Sequence, residues 1–90
     1  MLFVLVAKDK PNRQDLRQKT RAAHLEHVRK TGVVRIAGPL LDEKGGMCGS
    51  LVVLDVETQE QAQEWARKDP YAMAGLFASV EIHAWKKVIG

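Results

Sequence analysis

The chain has 90 residues, 46% of them hydrophobic and 28% charged, and a net charge of +3. That length predicts a single domain over residues 1–90, and the spread of apolar residues excludes disorder as its main state. A lone cysteine, Cys48, excludes an internal disulfide framework, and the longest apolar run, Met1 to Ala7, is too short to cross a bilayer. A cytoplasmic protein with no membrane association is therefore expected.

In chain order, Leu2 to Ala7 predicts a strand. A helix follows, with Asn12 as its expected cap, Asp15 at its third position, an end near Thr31 and Gly32 as the stop. Val33 to Leu41 predicts a second strand. Gly38-Pro39 should bend or end its pairing, at a sheet edge. Gly45-Gly46 marks a hairpin turn, and Gly49 to Val56 reads as the third strand. Thr58-Gln59-Glu60-Gln61 has the pattern of a capping box, opening a helix that buries Ala62, Trp65 and Ala66 and stops before Pro70. A short turn follows, and Val80 to Val88 reads as the last strand.

The order β-α-β-β-α-β predicts a ferredoxin-like α+β sandwich, a four-stranded antiparallel sheet with both helices on one face. Leu2 to Val6 and Leu51 to Leu54 are apolar on both faces. Strands of that kind want cover on both sides, and the helices supply only one. A second copy, sheet against sheet, is the expected second cover, which predicts a homodimer.

Charge is uneven along the chain. Residues 8–35 carry nine Lys/Arg and three acids, a net +6, against a net −3 elsewhere. This basic third fits either a solvated helix face or an attraction for an anion. Nucleic acid is not expected, because the third strand holds no aromatic residue on which a base could stack.

Few residues can carry chemistry. On a helical projection His24 points towards the sheet or a pocket beside it, as a satisfied core histidine or as a proton carrier. His24 and His27 are three apart, but no third ligand accompanies them, so no metal is expected. Asp69 precedes Pro70, where it can cap the next turn or can meet His24 and fix its tautomer. Cys48 and Ser50 share a strand face without any nucleophile motif, and Ser50 fits a hydrogen-bonding pocket residue better than a nucleophile.

Taken together, Arg21-x-x-His24, Ala37-Gly38-Pro39, Gly49-Ser50-Leu51, Asp69-Pro70-Tyr71 with Ala74-Gly75, and Glu81-Ile82-x-x-Trp85 resemble the YCII-related (YciI-like) family over nearly the whole chain. The resemblance implies a dimeric α+β barrel. It implies a His-Asp pair, matched here by His24 and Asp69, in a pocket lined by Ser50, Tyr71 and Trp85. It also implies cofactor-free proton transfer or elimination on a small organic molecule, a lyase or isomerase chemistry. Arg21, one turn before His24, is positioned to meet a substrate carboxylate or to serve as surface charge. The other functions open at this point are a non-catalytic module binding a small ligand or a partner, and a dyad that only stabilises the dimer.

Overall fold

The apolar run at the start of the chain becomes strand β1 (Leu2–Asp9) in the computed structural model, which describes residues 1–90. Helix α1 (Gln14–Thr31), strands β2 (Val34–Leu41) and β3 (Met47–Asp55), helix α2 (Gln59–Lys68), a single turn α3 (Pro70–Met73) and strand β4 (Phe77–Trp85) follow. The strands form one antiparallel sheet in the order β2-β3-β1-β4. This is the expected ferredoxin-like βαββαβ topology, with the two most apolar strands at the centre.

Strand alternation decides which residues meet the helices. Phe3, Leu5 and Ala7 pair with Leu54, Val52 and Ser50 and point to the helix side. Phe3, Leu5, Ala7, Val52 and Leu54 build the core there with Ala62, Trp65 and Ala66 of α2. Phe3 is thus a core residue and offers no surface to a base. Gly49 belongs to this close pairing, since a Cβ at that position would sit 2.4 Å from the Ala7 carbonyl oxygen.

The opposite face of the sheet carries Val4, Val6, Leu51 and Val53, with Ile36 and Trp85 at 62% and 42% exposure. No helix of the chain covers it. The chain exposes 6134 Å², against roughly 5,300 Å² for a compact monomer of this mass.

Several boundaries differ from the sequence reading. Asn12 does not cap α1. It takes a left-handed conformation (φ 60°) that turns the chain out of β1, and Arg13 becomes the N-cap residue without a side-chain cap bond. Gly32, left-handed at φ 69°, ends the helix as expected. Pairing of β2 continues through Pro39, which lies opposite Ser50. The edge position makes this tolerable, and irregularities flank the strand at Val34/Ile36 and Leu40/Leu41. In the hairpin the Asp42 carboxylate accepts from the Lys44 and Gly46 amides, which fixes the turn.

Thr58 caps α2 by accepting from the Gln61 amide, but the Gln61 side chain reaches back to the Glu57 amide and not to that of Thr58. Strand β4 starts at Phe77 and not at Val80, because α3 is a single turn. It ends at Trp85, opposite Leu2, where β1 runs out of partners. Val88, the expected end of that strand, lies beyond it and is exposed, as is Ile89.

Candidate active site

Arg17, Arg21, His24 and Val28 follow the i, i+4, i+7, i+11 spacing of one helix stripe. All four border a cleft of about 400 Å³ between α1 and the β2–β3 half of the sheet. Ser50 and Val52 of β3, Ala37 to Pro39 of β2, and Tyr71 of α3 complete its walls. The cleft exists because α1 presents polar groups to the sheet and does not close down on β2, whose Ala37 and Pro39 remain exposed.

His24 and Asp69 meet. His24 Nδ1 lies 2.8 Å from Asp69 Oδ1, and both residues are buried, at 7% and 2% exposure. The same carboxylate oxygen accepts from the Tyr71 amide at 3.0 Å, which caps α3. The two roles considered for Asp69, turn cap and histidine partner, are therefore both filled by one atom. An acceptor-only carboxylate calls for the proton on Nδ1, which leaves Nε2 as the basic nitrogen of the neutral ring. Tyr71 stacks on the imidazole with centroids 4.1 Å apart and an interplanar angle of 16°. The ring is thus held on one edge by a charge and on one face by an aromatic.

Arg17 and Asp9 were not singled out by the sequence reading. The guanidinium donates to Asp9 Oδ2 from Nε at 2.7 Å and to Oδ1 from Nη2 at 3.0 Å. Nη2 also donates to Ser50 Oγ at 2.7 Å, and the Arg17 Cζ lies 4.6 Å from the Tyr71 ring centroid. Burial by itself would lower the Arg17 pKa, but the hydrogen bonds and charge of Asp9 outweigh it and raise the pKa above its ordinary value. Burial raises the Tyr71 phenol, opposed by Arg17 and Arg21 and assisted by Asp69 and Asp9. Tyr71 is therefore a hydroxyl donor across the neutral range.

The remaining candidates separate. Arg21 is exposed at the cleft wall, and Ser50 lies beneath Arg17. Ser50 bonds to Arg17 and not to His24, consistent with a pocket residue. Cys48 lies further along β3, in a separate hollow beside Asp9. Trp85 does not join the cleft of its own chain. It pairs with Leu2 and so points to the uncovered sheet face. His27 packs at a tilt against Trp65 and its Nε2 lies 3.2 Å from the Trp65 carbonyl oxygen, so it faces a different neighbour from His24. The charge-rich look of residues 8–35 hid Arg17. The signal that marks it is its spacing of seven from His24.

Residues 1–86 match the YCII-related domain. The YciI protein of Escherichia coli O6:H1 is 36% identical over 97 aligned positions, covering 98% of this chain and 99% of that protein. Among solved structures, 5-chloro-2-hydroxyhydroquinone dehydrochlorinase from Burkholderia phenoliruptrix, in complex with 2,5-dihydroxybenzoquinone, superposes with a TM-score of 0.87. It is 29% identical, and the match covers 96% of this chain and 94% of that one. An antibiotic biosynthesis monooxygenase shares the fold at a TM-score of 0.62 and 11% identity, over 99% of this chain and 100% of that one. No helix of the chain is long and apolar enough to cross a membrane.

Proposed function

The chain belongs to the YCII-related domain family, and we propose that it is a small enzyme moving a proton on a small organic ring compound, with His24 as base and Asp69 as its orienting partner. The observation that carries this is the buried 2.8 Å contact between His24 Nδ1 and Asp69, which leaves Nε2 free at the cleft. His24 Nε2 takes a proton from a hydroxyl or an acidic carbon of the ligand, and the electron pair of the broken O–H or C–H bond becomes a new π bond. In an elimination the leaving group departs with its own bonding pair. In an isomerisation the proton returns at a second atom. Asp69 stabilises the imidazolium formed in between, Tyr71 and Ser50 shape the cleft, and Arg21 borders it. No step calls for a cofactor. The similar dehydrochlorinase, bound to a dihydroxybenzoquinone, supports a small oxygenated ring as ligand and elimination as the reaction class.

The uncovered apolar face supports a homodimer. The chain's excess area of roughly 800 Å² is close to what one partner buries in a standard interface. Trp85 of this reading belongs to that interface side of the sheet.

Chloride release from 5-chloro-2-hydroxyhydroquinone, with nitrogen NMR of the His24 ring, tests the mechanism. The wild type should release chloride and show the Nδ1-protonated tautomer. His24→Ala should lower the rate by ~10²–10⁴-fold, and Asp69→Asn should change the tautomer signal. Equal rates in wild type and His24→Ala, or a tautomer unchanged by Asp69→Asn, would overturn the proposal. Ligand binding that survives in His24→Ala, with no turnover in either protein, would make the cleft a binding module.

A further inference from the structure

Three buried side chains around the cleft each hold one polar atom with no hydrogen bond of ordinary geometry in the chain, although the Arg17 guanidinium and the Tyr71 hydroxyl lie near enough for each to feel the other. The three atoms are His24 Nε2, Arg17 Nη1 and Tyr71 Oη, on residues only 7%, 4% and 2% exposed. Buried polar groups are ordinarily paired. No fully buried side-chain nitrogen or oxygen in the chain lacks a partner, so these three atoms are ones that a molecule in the cleft can reach. Proton transfer gives Nε2 a task and leaves Nη1 and the Tyr71 hydroxyl without one.

Both of these atoms are donors. Asp9 occupies the Nε and Nη2 edge of the guanidinium and does not border the cleft, whereas Arg17 does, so Nη1 is the donor left over for a molecule bound there. The bidentate bond and Ser50 hold that fork rigid, which removes the ordering cost of binding. The cleft walls include Arg17, Arg21 and Arg35 and no carboxylate. Arg35 is engaged by Asp55, whereas Arg21 has no partner within the chain. Arg17 lies 4.6 Å from the ring of Tyr71, which itself stacks on His24 at 4.1 Å. The donors and the base therefore border the same small volume.

We propose that the cleft takes its ligand as an oxygen anion, the carboxylate or phenolate of a small ring compound, held by Arg17 Nη1 and the Tyr71 hydroxyl, with Arg21 attracting it at the wall. Arg17 is then a ligand-binding residue, and a neutral analogue of the same shape is rejected. This rests on the reading of the cleft as the reacting site.

Calorimetric titration of benzoate against its neutral isostere benzamide tests the charge. The visible absorbance of 4-nitrophenol reports whether a phenol binds ionised. Benzoate should bind at least ~tenfold more tightly than benzamide, as expected for a charge-assisted hydrogen bond, and should weaken as salt rises. Tyr71→Phe removes one oxygen and keeps the stack, so it should cost ~3–10-fold in benzoate affinity and leave benzamide unchanged. Arg21→Gln, at an exposed position, should reduce the salt dependence. The double variant Asp9→Leu/Arg17→Met removes the pair together, so that neither charge is left buried alone, and should abolish the preference for benzoate. A preference for benzoate alone assigns a carboxylate, and a bound, ionised nitrophenol assigns a phenolate. Equal affinities for benzoate and benzamide, or no anion binding at millimolar concentration, would overturn the inference. An anion preference without a tautomer change in Asp69→Asn would sink the proton-transfer reading and leave the anion site standing. The reverse pair of results would remove only the anion site.

Discussion

Helices α1 and α2 lie on the same face of the same sheet and contribute opposite things. Helix α2 buries Ala62, Trp65 and Ala66, and the core beneath it is apolar. Helix α1 buries Arg17 and His24, while its Leu25 is 45% exposed. A helix that turns polar groups inward gains little from the hydrophobic effect and must answer the desolvation cost of each group. Here each answer comes from a different element. Asp9 comes from β1, Asp69 from the junction of α2 and α3, and Ser50 from β3. The α2 half holds the fold together, and the α1 half uses that rigidity to keep charged groups in a fixed arrangement beside a cleft.

Substitutions on the two helices should separate these roles. The largest stability loss should follow Trp65→Ala under α2, ~3–5 kcal/mol in chemical denaturation, from lost burial and the cavity left behind. Trp65 also donates from Nε1 to Thr31 Oγ1 at 2.9 Å, so the end of α1 should loosen as well. Arg17→Met should rank second. It leaves the Asp9 carboxylate buried without its cation, and loss of one partner of a buried pair costs ~3 kcal/mol or more. Adding Asp9→Leu should restore most of that stability without restoring any binding function. If Arg17→Met is neutral, α1 is not held by charge pairs and the contrast between the helices fails.

The smallest effect belongs to an exposed network outside both helices. Asp55 accepts from Arg35 and from the N-terminal amine, and these hydrogen bonds hold its carboxyl below the usual range. A carboxylate lowered in the folded state adds stability that is present above its unfolded pKa. That stability is lost as pH falls through the folded value. Asp55→Asn should therefore be slightly less stable than wild type at neutral pH and indistinguishable from it in acid. A gap that persists in acid would mean that the effect is not ionic.

The strands, the helix under Trp65 and the ferredoxin-like order follow from patterns that are local in the chain. Alternation in Phe3-Val4-Leu5 and the stripe of Ala62, Trp65 and Ala66 are set by backbone periods of two and 3.6 residues, and these do not depend on distant partners. His24 and Asp69 were legible as candidates for the same kind of reason, one on the inward arc of its helix and one at a proline-started turn. The start of β4 was not legible, because a strand ends and begins where its partner does, and β1 alone sets that register. Arg17 and Trp85 depend on the same kind of long-range information. Composition makes an arginine look like surface, and the family resemblance assigns Trp85 to the pocket lining, but the pairing with Leu2 puts Trp85 on the other face of its own sheet. By itself the sequence determined the elements and their order, and it named His24 and Asp69 as a candidate pair. Only the tertiary structure decided that Arg17 is buried, because its cost is met by Asp9 and Ser50, which lie 8 and 33 residues away and meet it only when the sheet has formed.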